Sequence, residues 1–294
     1  MRLEDIWTVA RAEAMHYLLR RRTNSPFISG DVFGSQADAA VFSPHLKNNT
    51  ERSSDIRNSN VIFCPGDRLE EFVSSYSRSF HGQVLILGNS DRDYSDESEL
   101  TIRGISHVYA QNLLFASDTA SVIPIGLENL RLARNGLKSL YSGRYLEARK
   151  TNNLLVGPFS PTHPDRVALK ANLNQMNKES WFVSPPDLKE PKEYALLAKT
   201  FRLIAAPRGN GQDTHRFWEA LYRGSYPVVT DSVWAEQISH LKVPFVKLAN
   251  WSQDEIKTLR QHPEVNFDPA TIPALWWPFW KREISEKVAR GKHS

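Results

Sequence analysis

A glycine-rich turn with several basic side chains stands between two apolar segments, in the stretch APRGNGQDTHRFWEALYRGSYPVVTDS (206–232). Gly209 and Gly211 allow the backbone to turn tightly and to approach a ligand closely. The residues that follow have helical spacing, and the first amides of a helix carry partial positive charge. Arg208 and Arg216 add full charges near the same point. This combination predicts a binding site for a diphosphate.

The predicted helix also carries an acidic side chain. Glu219 lies one turn in, on the same face as Arg216, where a carboxylate can accept hydrogen bonds from ribose hydroxyls. Asp213 or Thr214 is expected to cap the helix. The stretch has neither the Gly-Lys-Ser/Thr of a P-loop nor the dinucleotide fingerprint, which favours a mononucleotide. The alternative is an amphipathic surface helix with a solvated Arg216–Glu219 ion pair.

Continuous apolar segments alternate with helical ones through most of the chain. NVIFCPG (60–66) precedes the helical DRLEEFVSSYSRSF (67–80), and QVLILGNSD (83–91) follows; a second series begins at NNLLVGPFS (152–160). Such alternation predicts parallel sheets covered on both faces. FIS (27–29) is a further strand candidate, whereas the polar segment 43–59 predicts a loop. We expect an α/β protein with two parallel-sheet domains, 1–150 and 151–270, facing each other across a cleft, and a C-terminal helix (271–294) packing back across them.

Composition narrows the function classes. The 294 residues carry a net charge of +4, and the basic residues are dispersed, which argues against a nucleic-acid-binding face. Cys64, the single cysteine, lies in an apolar segment and is expected to be buried, which favours a reducing, cytoplasmic location. No apolar run reaches the length of a membrane span. The first 22 residues predict an amphipathic helix and not a signal peptide.

Aromatic residues cluster beside the basic C-terminal helix, in LWWPFW (275–280). Such a cluster can seat a protein on a membrane surface, which leaves peripheral membrane contact open, or it can stack on sugar rings. Packing across the two domains is the interpretation that we favour.

The segment FRLIAAPRGNGQDTHRFWEALYRGSYPVVTD (201–231) resembles the C-terminal nucleotide-sugar motif of exostosin-like glycosyltransferases. That motif runs from an apolar strand through Pro-x-Gly, a polar turn, Thr or Ser, Arg and a helix with Glu-Ala to Gly-x-x-Pro-Val. Its positions are filled here by Pro207, Gly209, Thr214, Arg216, Glu219, Ala220, Gly224, Pro227 and Val228. Weaker resemblance to compact bacterial and viral members covers FISGDVF (27–33), IPIGLEN (123–129) and NLLVGPFSPTHPDR (153–166).

The resemblance implies a GT-B fold, with two Rossmann-like domains, the donor held mainly by the C-terminal one, and no metal or other cofactor required. It implies transfer of a sugar from a nucleotide diphosphate, UDP favoured over GDP, to a glycan acceptor in polysaccharide or glycoprotein biosynthesis. We expect the transfer to proceed with inversion; the dispersed basic residues argue against nucleic acid as a partner. The donor-binding residues would be Arg166, Arg208, Gly209, Thr214, Arg216 and Glu219. His163 and His215, each near a helix start, could touch phosphate or sugar.

Inverting transfer needs a base for the acceptor hydroxyl. Asp91, at the end of a predicted strand, is the first candidate, Asp31 the second and Glu128 the third; each could instead be a turn residue that caps local amides. Asp91 and Asp93 also match the Asp-x-Asp that binds a metal in the GT-A fold, which leaves a metal-dependent transferase as an alternative. A non-catalytic nucleotide- or glycan-binding module is another.

Overall fold

The computed structural model describes residues 22–46, 48–146, 150, 152–176, 180–185, 188, 190–262 and 266–291. The predicted N-terminal amphipathic helix lies outside these residues, apart from its last position. Within the described ranges no helix is long and apolar enough to cross a membrane.

The N-terminal half is built on a five-stranded parallel sheet whose strand order follows the chain. Its strands are β1 (Ala39–Ala40), β2 (Val61–Pro65), β3 (Gln83–Gly88), β4 (Ile105–Ala110) and β5 (Ala120–Val122). Every residue of the central strand β3 is buried, as expected for a strand covered on both faces. Among the described residues of this half, the α-helices are α1 (Gly30–Gln36), α2 (Ser53–Arg57) and α3 (Leu69–Tyr76).

The C-terminal half contains a second five-stranded parallel sheet, in the order β10-β9-β8-β6-β7. Its strands are β6 (Asn152–Val156), β7 (Phe182–Val183), β8 (Phe201–Ala205), β9 (Tyr226–Thr230) and β10 (Val246–Leu248). The helices are α4 (Pro164–Gln175), α5 (Pro191–Ala198), α6 (His215–Tyr222), α7 (Val233–Ser239) and α8 (Gln253–Thr258). The predicted α/β class with two parallel sheets is therefore confirmed, and the sheets are consistent with two Rossmann-like halves.

Two local predictions are wrong. The segment FIS does not join the sheet: Phe27 and Ser29 form only isolated antiparallel bridges, with Trp276 and Gly126, and helix α1 starts directly after them. The polar segment 43–59 contains helix α2, which a single buried side chain, Ile56, anchors to the core. One apolar residue in a polar segment is too weak a signal for the periodicity that identifies helices.

Helix α9 (Trp277–Gly291) follows the C-terminal half in sequence but packs on the N-terminal sheet. The Trp280 ring is buried, 5.7 Å from that of Phe33 and 6.4 Å from that of Tyr109. Trp276 lies 5.1 Å from Phe27. These rings of the aromatic cluster are thus engaged in packing between segments distant in sequence. Cys64 is buried in strand β2, as the apolar segment around it predicts.

Candidate functional site

A cleft of about 330 Å³ lies between the two halves, beyond the carboxyl ends of the strands. The N-terminal half contributes Asp91, Ile125 and Asn135, and the C-terminal half contributes the segment around Phe159, Arg166, the loop after β8 and the first turns of α6. Ligands of open parallel sheets bind in this location, and the volume lies within the range of small-molecule sites. The cleft is therefore the candidate functional site.

Arg216 and Glu219 form a buried pair on helix α6 where it faces the cleft. Arg216 Nε lies 3.3 Å from Glu219 Oε2, an ion pair without hydrogen-bond geometry. The guanidinium stacks on the ring of Tyr194, with Cζ 3.9 Å from the ring centroid, and donates to the carbonyls of Gly157 and Pro158. Glu219 is only 3% exposed. The solvated-ion-pair alternative therefore does not describe this helix.

Arg166 projects into the cleft from the first turn of helix α4. Its Nη1 donates to the Ser160 carbonyl and to Thr162 Oγ1, and its guanidinium lies over the Phe159 ring. Burial lowers the pKa of Arg166 below its ordinary value, and the positive charge of Arg216 adds to this effect. Two guanidinium groups that line the same cleft, partly out of water, provide a site at which an anion would be stabilised.

Gly209 allows Arg166 to occupy this position. A Cβ atom built on Gly209 would lie 2.6 Å from Arg166 Nη2, closer than real contacts allow. The glycine is thus needed for the close approach of the loop to the guanidinium, as the sequence pattern predicts for a ligand-binding turn.

Thr214 and Asp213 share the start of helix α6 but differ in role. Thr214 occupies the N-cap position without a side-chain capping bond and lines the cleft. Asp213 is buried and accepts from Ile125 N and from Trp218 Nε1, both at 2.7 Å. Burial raises the pKa of Asp213 to about 7, against the opposing effect of these donors. Asp213 therefore joins the two halves, which leaves the Thr214 hydroxyl available at the helix start.

The acidic pair Asp91 and Asp93 meets the opposite loop across the cleft. Asp93 Oδ2 accepts from Arg208 Nη2 at 2.6 Å, and Asp91 Oδ2 accepts from Asn210 Nδ2 at 3.2 Å. Arg208 does not line the cleft but lines a neighbouring cavity of about 520 Å³. Within the described ranges no group of three His, Cys, Asp or Glu side chains has the arrangement of a metal site.

The second predicted base, Asp31, is not brought to the cleft. Asp31 is buried in the first turn of α1, where Arg131 Nε donates to Oδ2 at 2.8 Å and Asn89 Nδ2 donates to Oδ1 at 3.1 Å. Its backbone amide donates to the side chain of Asn129 at 2.8 Å. With both oxygens engaged inside the N-terminal half, this carboxylate fixes the segment 129–131 against α1.

His215, the first residue of α6, reaches from the C-terminal half to the N-terminal half. Its Nδ1 lies 2.8 Å from the carbonyl oxygen of Gly126, and the ring lines the cleft. Glu128, two residues after Gly126, has a buried Oε2 without a hydrogen-bond partner. Burial raises the pKa of Glu128, and a positive charge on His215 opposes this rise.

Of the predicted site residues, the structure brings together Asp91, Arg166, Gly209, Thr214, Arg216 and Glu219 around one cleft. Arg208 lies beside it, and Asp31 lies away from it. Sequence reasoning missed Tyr194, whose ring supports Arg216, and Asn112, whose Oδ1 accepts from Asp213 N at 2.7 Å. Neither stands in a motif, because each acts through a contact between segments distant in sequence.

A scan of the chain against protein-family models finds no match, and no curated protein sequence matches it either.

Proposed function

We propose that this protein is a glycosyltransferase of GT-B architecture that transfers a sugar from a nucleotide diphosphate, UDP favoured, to a glycan acceptor. The pairing of Arg166 and Arg216 at the start of helix α6, inside a cleft between two parallel sheets, carries this proposal. The guanidinium groups and the helix start would hold the diphosphate and offset the charge that develops on it as the sugar departs. Residues 151–270 would form the donor side and residues 1–150 the acceptor side.

Glu219 fits the ribose in this proposal. Its buried Oε2 is ion-paired with Arg216 Nε at 3.3 Å but accepts no hydrogen bond, one turn inside the anion site. A buried acceptor without a hydrogen bond is unfavourable. A ligand hydroxyl that donates to it would therefore contribute more binding free energy than the same bond formed in water. The proposal includes metal independence, inversion at the transferred sugar and a cytoplasmic location.

The first experiment is calorimetric titration of the protein with UDP and with GDP, in EDTA and then with Mn²⁺. We expect micromolar binding of UDP in EDTA and a loss of at least about tenfold in affinity for Arg166→Ala, since a charge-assisted bond to phosphate contributes more than about 1.4 kcal/mol. Arg103→Ala is the matched control, because Arg103 is exposed on the N-terminal half, away from the cleft. Equal affinity of the two variants would count against the diphosphate site.

The Asp93→Asn variant separates this proposal from the metal-dependent alternative. Asp93 is paired with Arg208 at 2.6 Å, so its neutralisation frees a cation beside the donor site. We expect nucleotide affinity in EDTA to stay equal or to rise a few-fold, with no gain from added Mn²⁺. Loss of a Mn²⁺-dependent affinity in Asp93→Asn would favour the GT-A-like alternative. Nucleotide binding without sugar release from any donor would favour a non-catalytic module.

A further inference from the structure

We infer that His215 is the catalytic base of the proposed transfer reaction and accepts the proton of the acceptor hydroxyl at Nε2. This inference rests on the proposed function and assigns to His215 the role that the sequence pattern assigns to Asp91. The observations that carry it are the hydrogen bond from His215 to Gly126, the position of the ring in the cleft and the neighbouring carboxylate of Glu128.

The hydrogen bond to Gly126 determines which ring nitrogen carries the proton. A backbone carbonyl only accepts hydrogen bonds, so Nδ1, 2.8 Å away, is the donor. In the neutral ring Nε2 then presents a lone pair, and no residue in the described ranges bonds to it. A lone pair accepts a hydroxyl proton but repels a phosphate oxygen, which suits contact with an acceptor better than contact with the diphosphate.

The Gly126 carbonyl is a rigid anchor for this ring. Gly126 forms an antiparallel bridge with Ser29, and its φ of 67° lies in the left-handed region. A Cβ atom built on it would lie 2.2 Å from the Ile28 carbonyl oxygen, so only glycine allows this close packing. The N-terminal half therefore orients an imidazole that the C-terminal half supplies, at the boundary where donor and acceptor would meet.

Charged groups surround the ring. Glu128 interacts electrostatically with His215, and the Glu219 carboxylate lies on the same helix one turn away. Arg216, the next residue along the helix, is paired with Glu219. A carboxylate beside an imidazole stabilises the imidazolium that forms during proton transfer, in the manner of the buried acid of a hydrolase triad.

Asp91 is less suited to the same task. It is exposed, accepts a hydrogen bond from Asn210 and lies near the positive charge of Arg166. Its Oδ2 is thus already engaged by the opposite loop, whereas no residue in the described ranges bonds to Nε2 of His215.

The transfer step forms one bond to the sugar and breaks another. The acceptor oxygen forms a bond to the sugar C1 while its proton moves to His215 Nε2. The bond from C1 to the diphosphate oxygen breaks, and its electron pair leaves on the nucleoside diphosphate, beside Arg166 and Arg216. The imidazolium then returns its proton to water.

The test variant is His215→Asn, because the asparagine amide can reproduce the Nδ1 donor to Gly126 but has no basic nitrogen in the place of Nε2. His240→Asn is the matched control: His240 is exposed at the C-terminal end of helix α7 and does not line the cleft. The measurements are UDP and GDP affinity by calorimetry and the release of nucleotide from a panel of UDP- and GDP-sugars, with water as the acceptor.

We expect His215→Asn to bind UDP within about threefold of the unchanged protein and to release nucleotide about 10²–10⁴ times more slowly, the range for loss of a general base. Added imidazole should restore part of the rate in His215→Ala. His240→Asn should retain both properties. An unchanged rate in His215→Asn overturns the inference while leaving the proposed function standing, and a loss of UDP binding assigns His215 to the donor site instead. If the unchanged protein binds neither nucleotide, or binds one but hydrolyses no donor, the proposed function fails and the inference with it.

Discussion

At the scale of single residues, the contact between Gly209 and Arg166 yields the sharpest prediction. Gly209→Ala places a Cβ 2.6 Å from Nη2 and 3.2 Å from Cζ of Arg166, so the guanidinium must shift from the position it holds in the cleft. We expect UDP affinity to fall about tenfold, which corresponds to about 1.4 kcal/mol. Calorimetric titration of the variant in EDTA measures this change.

A double-mutant cycle supplies the control. In Arg166→Ala the added methyl group at position 209 no longer meets the guanidinium, so Gly209→Ala should change UDP affinity by less than about twofold in that background. Additive effects of the two substitutions would mean that the loop itself, and not its contact with Arg166, is the source of the loss.

The residues that could be foreseen share one property: they lie close together in the sequence. Arg216 and Glu219 are three residues apart on one helix, so helical spacing alone places them on the same face. The contacts of His215 with Gly126 and of Asp93 with Arg208 span 89 and 115 residues. Such contacts depend on how the two sheets meet, and no local pattern contains that information.

At the scale of elements, strand β4 contains a buried histidine that makes stability depend on pH. His107 is 3% exposed, and its Nε2 lies 3.0 Å from Ser121 Oγ. Burial, with a smaller effect from Lys287, lowers its pKa to about 4 from an ordinary value of 6.5. Between these two values the unfolded chain binds a proton that the folded protein does not, so stability falls as the pH falls from 6.5 to 4.

His107→Gln removes this titration while keeping a polar group opposite Ser121. The difference in unfolding free energy between the unchanged protein and the variant should be constant above pH 7. Between pH 6 and pH 4 this difference in unfolding free energy should shrink by about 1.4 kcal/mol per pH unit. Urea unfolding at several pH values measures it, and comparison of the two proteins cancels other titrating groups such as Asp213. A difference that does not vary with pH would mean that His107 is charged in the folded protein.

The alternation of elements was predictable because parallel strands buried on both faces form continuous apolar segments, as VLIL in β3 does. Two short edge strands were not. β1 has two residues, Ala39–Ala40, and pairs with β2 at the edge of the sheet, so it has no periodicity of its own. β10, at the edge of the other sheet, contains the exposed Lys247 and lacks the continuous apolar character of the inner strands. Both strands lie at the edge of a sheet, and this position, not a low β-propensity of their residues, explains why the sequence pattern does not predict them.

At the scale of the whole molecule, a single tyrosine ties the two halves together. The Tyr222 hydroxyl, at the end of helix α6, accepts from Ile28 N at 2.9 Å and donates to the Leu275 carbonyl. Its ring lies 5.0 Å from that of Phe27. The segment before α1, helix α6 and the segment before α9 thus meet at one buried hydroxyl. One core cluster includes Phe33 and Leu85 of the N-terminal half and Phe217 and Trp234 of the C-terminal half.

A shared core predicts that the two halves unfold together. Urea unfolding followed by tryptophan fluorescence and by far-ultraviolet circular dichroism should give coincident transitions. Tyr222→Phe leaves a buried amide and a buried carbonyl without partners, which should reduce stability by about 1–3 kcal/mol and move both transitions equally. UDP affinity should be unchanged, because Tyr222 does not line the cleft. Two separate transitions, of which the substitution moved only one, would mean that the halves are independent units. The cleft would then be free to open and close between them. The hydrogen bond from His215 to Gly126 would form only in the closed state.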